Sequence, residues 1–274
     1  MFVKEVDILA HACRLPAHVV VHRATSRNTI LIEQVLALLS ARHVLTFTER
    51  PYDAEDGGAS IVWPNEVALD QQTCSWSGST LWLQSSTPQN QSWPGYRNVV
   101  SQSISENTVI DWENSIAVHL KQSLTDQQSN ADIQEWSKFF TAVLKKMPKT
   151  QFLLVGDDSK NIDYKFPENV FAPGSNLIDY WSILRSSAAF MGMASGLCNY
   201  PLLEGKPCRI WKHKDHHPEH MRRELDSRGQ FSFSNSHQKM LLEQENLSSL
   251  LREFHSVTRC LPDVTVPKFF DDVQ

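Results

Sequence analysis

The sequence has little of what marks a disulfide-bonded, membrane-spanning or nucleic-acid-binding protein. Its five cysteines are an odd number, and no two of them have C-x-x-C spacing, so we expect reduced, buried thiols rather than a disulfide framework or a zinc knuckle. No apolar run is long enough to cross a bilayer. The net charge of -5 gives no overall attraction to nucleic acid or to an anionic membrane.

Some short motifs are missing too. No G-x-G-x-x-G follows a predicted strand, and the chain has neither a Walker loop nor an H-E-x-x-H pattern. These absences argue against a nicotinamide- or flavin-dependent oxidoreductase and give no reason to expect a cofactor. The first residues lack a clean apolar signal core, because Glu5, Asp7 and His11 interrupt them. We therefore expect a cytoplasmic protein without stable membrane insertion.

The first part of the chain predicts a small α/β unit over residues 1–107. An apolar stretch at 17–23 predicts a strand, helical spacing predicts a helix over 29–40, and 44–48 predicts a second strand. Further short strands are predicted at 59–63 and 80–83. The stretch 85–95 is rich in Ser, Gln, Asn and Pro, which indicates a linker or an exposed loop.

The second part, residues 108–274, alternates strands and helices more clearly. A strand at 115–120 precedes an amphipathic helix at 131–147, which Asp132 or Asn130 can cap and Pro148 ends. The pattern continues with strands at 151–156, 170–171, 188–191 and 207–211 and with helices at 177–186, 199–203 and 238–256. This alternation predicts an α/β fold, a Rossmann-like doubly wound parallel sheet that binds ligands beyond the carboxyl ends of its strands.

Polar side chains lie at the ends of the first two strands predicted in the second part, 115–120 and 151–156. His119 and Lys121 alternate with Leu120, so they point to the same face and could hold a diphosphate. The alternative is a core histidine beside a solvated lysine. After the next strand, Asp157 could bond a ribose or an acceptor hydroxyl, or it could simply begin a turn, as we expect for Asp158.

The segment FMGMASGLCNY runs from an apolar strand through small residues into a helix. Small residues let backbone N–H groups approach phosphate oxygens, and the Ser195 hydroxyl can also donate. Ser195, Gly196 and Asn199 are therefore candidate residues for binding a substrate that carries phosphate. The alternative is a tight turn in which glycine is chosen for its backbone angles.

Four histidines and two acidic residues follow the next strand, within residues 213–220. They raise the possibility of a metal site, but Pro218 separates His216 from His220, so we expect a solvated basic loop and no bound metal. Lys212, at the end of the strand, could instead help to neutralise the diphosphate of a bound substrate.

The order of these elements over about residues 112–255 resembles the nucleotide-binding domain of GT-B glycosyltransferases. Ser195-Gly196 and Gly205-Lys206-Pro207 look like the heptosyltransferase-type turn, and IAVHLKQ is similar to the His-x-Arg strand of fucosyltransferases, with Lys121 in place of the arginine. The resemblance implies a GT-B-like protein with a reduced N-terminal half. It also implies that helix dipoles and basic side chains, rather than a metal, hold the donor phosphates.

We therefore expect a glycosyltransferase-like protein that transfers a sugar from a nucleoside-diphosphate donor to a glycan or another hydroxyl acceptor. The partners expected are the donor and the acceptor, without nucleic acid. A general base would come from the first part of the chain, where His11, His22 and Glu33 are candidates. The alternative is a non-catalytic nucleotide- or glycan-binding or scaffold protein that keeps the transferase fold.

Overall fold

In a computed structural model of the chain, the described residues are 17–22, 34–39, 43–48, 101, 104, 109–124, 126–216, 221–222 and 224–259. The chain divides into two compact units, Met1–Val99 and Val100–Gln274. The first unit ends somewhat before the boundary at residues 107 and 108 that the sequence predicts.

The first unit contains a parallel strand pair. Strand β1 (Ala17–His22) pairs with β2 (His43–Thr48), in a register that runs from Ala17 opposite His43 to His22 opposite Thr48. Residues 34–37 between them are helical, so the strand, helix and strand predicted here are confirmed. The strands predicted at 59–63 and 80–83 and the linker at 85–95 lie outside the described residues.

The second unit is built on a sheet of six parallel strands. They are β3 (Ser115–His119), β4 (Gln151–Leu154), β5 (Val170–Phe171), β6 (Ala189–Met193), β7 (Cys208–Trp211) and β8 (Gln238–Leu241). Their order in the sheet is β5-β4-β3-β6-β7-β8, which confirms the Rossmann-like doubly wound fold. The chain reverses direction across the sheet between β3 and β6, and this switch point is where such sheets bind ligands.

The described residues of this unit include four α-helices that connect or follow its strands. They are α1 (Ile133–Lys146), α2 (Leu177–Ser186), α3 (Asn199–Leu203) and α4 (Leu247–Thr258). Helices α1 and α4 pack against each other, and so do α2 and α3. The Asp132 side chain caps α1 by accepting hydrogen bonds from the N–H groups of Gln134 and Glu135, so Asp132 rather than Asn130 is the cap.

Aromatic side chains fill the core between the sheet and helices α1 and α4. Trp136 of α1 lies edge-on to Trp211 of β7, with ring centroids 5.6 Å apart. Phe140 packs on Phe152 of β4 at 4.8 Å, and Phe254 of α4 completes the layer. Alternate side chains of β3 and of the residue after it, those of Ile116, Val118 and Leu120, belong to this core. The side chains between them face the opposite side of the sheet.

The helix predicted over residues 238–256 is wrong at its start. Gln238–Leu241 is strand β8, paired in parallel with β7, and the helix begins only after Asn246. The Asn246 side chain accepts from the Ser249 N–H, and the Ser249 side chain accepts from the Asn246 N–H, which forms a capping box. The leucines at 241 and 242 suggested one continuous helical period, but Leu242 is exposed on a strand end.

Two of the five cysteines lie within the described residues. Cys198 and Cys208 are free and fully buried. Burial raises the pKa of the Cys198 thiol to about 11, so the unreactive neutral thiol predominates at neutral pH.

Candidate functional site

The segments that follow β3, β6 and β7 lie side by side, because these three strands are neighbours in the sheet. His119 ends β3, Ser195 follows β6, and Lys212 follows β7 directly. His119 is opposite Gly192 in the β3–β6 register. The carboxyl edge of the sheet at the switch point therefore gathers most of the candidate residues in one place.

His119 is part of the floor of this site. Its side chain is only 4% exposed, and its Nδ1 lies 3.5 Å from the carbonyl oxygen of Met193. Burial is the main reason that its pKa falls from 6.5 to about 4, so the ring is neutral at physiological pH. A neutral imidazole does not supply positive charge to a phosphate.

Two glycines make room for His119. A Cβ on Gly156, which has φ of 100°, would lie 2.7 Å from the imidazole Cδ2. A Cβ on Gly192 would lie 2.5 Å from the His119 backbone oxygen. Both distances are shorter than any real Cβ contact, so glycine is required at each position by the close approach of the neighbouring strand end.

Of the two adjacent aspartates after β4, Asp158 faces the switch point and Asp157 does not. Asp158 accepts a hydrogen bond from the Gln122 N–H at 3.1 Å, and its carboxylate lies 3.8 Å from His119 Nε2. Asp157 bonds to Lys160 and Tyr180, and donation by Lys160 is the first reason that its pKa is lowered. Asp157 is thus engaged with helix α2 rather than with His119 or Lys121.

Lys121 and Lys212 are linked through two other side chains. Lys121 Nζ lies 2.9 Å from Asp126 Oδ2, and Asp126 Oδ1 lies 3.2 Å from His216 Nε2. His216 Nδ1 lies 3.0 Å from Lys212 Nζ. Because an ammonium can only donate, Nδ1 of His216 is the acceptor and Nε2 carries the proton toward Asp126.

The same network perturbs Lys212. Burial lowers the pKa of Lys212, and the positive charge of Lys121 lowers it further. Two lysines from different strand ends are thus close enough to repel each other. Such a pair gains stability from a nearby anion, and the Asp126 carboxylate supplies one beside Lys121 and His216.

The Ser195 turn keeps part of its hydrogen-bonding capacity open. Ser195 Oγ accepts from the Leu197 N–H at 3.2 Å, and the Ser195 carbonyl accepts from the Cys198 N–H at 3.3 Å. Within the described part of the chain, the N–H groups of Ser195 and Gly196 have no protein acceptor. Gly196 is exposed, and a Cβ there would meet nothing within 4 Å. Two backbone donors next to β6 are therefore left without an acceptor among the described residues.

Asn199 follows this turn and has an unusual carboxamide. The residue is only 8% exposed, yet its Oδ1 has no hydrogen-bond partner among the residues that the structure describes. A buried polar oxygen without a partner is costly, so such groups are often completed by a bound molecule or by water.

The histidines after β7 do not form the solvated loop that we expected. For His213 and His216 this expectation is wrong, because both side chains are partly buried and contact carboxylates, on Glu245 and on Asp126 respectively. His213 Nδ1 donates to the Gln128 carbonyl at 2.6 Å, and its Nε2 lies 2.8 Å from Glu245 Oε2. His217 and His220 are outside the described residues. Among those that are described, no group of three His, Cys, Asp or Glu side chains could hold a metal.

A second groove lies at the β8 edge and shares no residue with this site. Its lining includes Arg228, Lys239 and Arg252. Each of these cations is already paired with a carboxylate, on Asp226, on Glu253 and on both Glu243 and Glu253 respectively. Arg222 also lines this groove, which therefore carries cations and carboxylates together.

Three residues that contact the predicted site residues were not themselves predicted from the sequence. Asp126, Asp158 and His216 were not among the predicted site residues, although they touch Lys121, His119 and Lys212. The contacts of Asp126 with Lys121 and of His216 with Lys212 are local, whereas those of Asp158 with His119 and of His216 with Asp126 join distant segments. Of the general-base candidates, His11 and Glu33 lie outside the described residues, and His22 is described only as the last residue of β1.

The fold and site define an α/β protein with a Rossmann-like parallel sheet and a lysine-bearing switch point. Comparisons of the chain with family models, with curated proteins and with solved structures give no match. In the part of the chain that the structure describes, no helix combines the length and apolar character needed to cross a membrane.

Proposed function

We propose that this chain binds a nucleoside-diphosphate sugar at the switch point of its sheet and transfers the sugar to a hydroxyl acceptor in the cytoplasm. The observation that carries this proposal is the convergence of Lys121 and Lys212 on either side of the Ser195 turn. A diphosphate bound there would meet two cations and the N–H groups of Ser195 and Gly196.

The remaining site residues suit the rest of such a ligand. The unpartnered oxygen of Asn199 can accept a hydroxyl or an amine hydrogen. His119 and Gly192 hold the β3 and β6 ends together beneath the ligand. Charge stabilisation of the departing diphosphate would come from the lysines and backbone donors, without a metal. The glycosyl transfer itself rests on the resemblance of residues 112–255 to GT-B donor domains.

The experiment is calorimetric titration of the full chain with UDP-, GDP- and ADP-sugars, in the wild type and in Lys121→Met and Lys212→Met. We expect one donor to bind and each substitution to weaken it at least about tenfold, equivalent to about 1.4 kcal/mol. The matched control is Lys138→Met, because Lys138 pairs with Glu135 on the exposed side of α1. Absence of binding by every nucleotide would overturn the proposal, as would unchanged affinity in both site variants.

A non-catalytic binding or scaffold role is the second candidate. The observation that favours it is the charge balance, since Lys121 and Lys212 are accompanied by Asp126 and Asp158. Released nucleoside diphosphate, measured with a bound donor and a mixture of hydroxyl acceptors, distinguishes the two. Binding without release would support the scaffold role.

A further inference from the structure

Three polar groups surround the Asp126 carboxylate. Lys121 Nζ is 2.9 Å from Oδ2, the Ser129 hydroxyl donates to the same oxygen at 2.6 Å, and His216 Nε2 is 3.2 Å from Oδ1. Donation by Ser129 and by Lys121 lowers the pKa of the Asp126 carboxyl to about 2, so it is fully ionised at neutral pH. It is the anion toward which the basic groups after β3 and β7 turn.

The segment that carries Asp126 is tied down at its base. The Ala131 N–H donates to the Lys121 carbonyl at 2.9 Å, and Asn130 exchanges two hydrogen bonds with the backbone of Ser123. These bonds close a loop between β3 and α1 independently of the Asp126 carboxylate. The carboxylate can therefore leave Lys121 without opening the base of the loop.

A carboxylate and a phosphate present the same chemistry to these groups. Both offer paired anionic oxygens to ammonium and imidazole donors. Lys121 cannot direct its charge fully to a phosphate while it is bonded to Asp126 at 2.9 Å. The carboxylate and an incoming phosphate would also repel each other at the same donors.

We infer that Asp126 is a built-in competitor of the anionic ligand. It occupies the Lys121 and His216 donors, and it must move away when the phosphates of a nucleotide bind. It therefore sets the affinity of the switch point for phosphorylated ligands. This inference rests on the proposed function, because it concerns the regulation of the same site.

The test is titration of the full chain with inorganic pyrophosphate and with the nucleotide sugars named above, in wild type and Asp126→Asn. The amide keeps the shape and can still accept from Ser129, but it no longer carries the charge. We expect Asp126→Asn to raise the affinity at least about tenfold. Asp226→Asn is the matched control, because Asp226 pairs with Arg228 and the substitution changes the net charge equally. The Asp226→Asn variant should bind these ligands with the affinity of the wild type.

Ser129→Ala supplies a second variant that keeps the carboxylate and removes one of its donors. Ser129→Ala should also raise the affinity, but by less than Asp126→Asn does. If Asp126→Asn does not fold, the comparison of Ser129→Ala with the wild type is the test. Unchanged or weaker binding in both variants, with binding by the wild type, would overturn the competitor role and leave the proposed function standing. No binding by the wild type or either variant would overturn both.

Discussion

The pair of Arg209 and Glu253 connects the sheet to helix α4. Arg209 Nε lies 2.9 Å from Glu253 Oε2, and the two side chains are 5% and 4% exposed. The guanidinium also donates to the carbonyls of Cys208 and His237 and to the Ser256 hydroxyl. Nearly every donor of this buried cation is thus satisfied, which is the condition under which a buried ion pair is tolerated.

We predict that Arg209→Met destabilises the second unit by about 3 kcal/mol. Removal of one partner of a buried pair costs about 3–5 kcal/mol, because the other charge remains buried. Lys239 and Arg252 still contact the Glu253 carboxylate at 3.3 and 3.1 Å, which places the loss near the lower end. Lys239→Met removes a partly exposed contact with the same carboxylate and should cost about 0–1 kcal/mol.

Urea unfolding followed by circular dichroism and tryptophan fluorescence measures both losses. The double variant with Arg209→Met and Glu253→Leu should be more stable than Arg209→Met alone, because it buries no uncompensated charge. If Arg209→Met were no less stable than Lys239→Met, the reasoning about this buried pair would be refuted.

Two further predictions concern the floor of the site. Gly192→Ala should destabilise the second unit by about 1–3 kcal/mol, because its Cβ would lie 2.5 Å from the His119 oxygen. Gly196→Ala is the control and should leave the melting temperature almost unchanged. Equal melting temperatures for the two variants would contradict this prediction. His119 has its folded-state pKa lowered from 6.5 to about 4, so between these pH values the unfolded chain binds the extra proton and stability falls as pH falls, by up to about 3 kcal/mol. Stability curves against pH should be flatter for His119→Gln than for the wild type over this range; parallel curves would exclude His119 as the source.

The local pattern was enough to predict most of the fold. Asp132 before an amphipathic stretch and Pro148 after it bound α1, since capping and chain termination depend on neighbouring residues. The same reasoning failed at residues 238–246. There, four residues became a strand because β7 offered an unpaired edge, and pairing with a distant strand overrides a short helical period.

The candidate site was predicted in part for a related reason. The polar residues after β3, β6 and β7 could be found because parallel strands end at one edge, and this follows from the order of elements. Which of two adjacent aspartates faces His119 could not be found in this way. It depends on how the turn after Gly156 is oriented by Tyr180 and Lys160, which hold Asp157 outward.

The sequence alone determined most of the alternation of strands and helices and the set of polar residues at the strand ends, because these follow from periodicity and near neighbours. The tertiary structure alone decided that β8 is a strand, that His119 is a neutral floor residue and that Asp126 and His216 join Lys121 to Lys212. Those outcomes depend on burial and on charges brought together from segments that are far apart in the chain, and no local pattern records such distances.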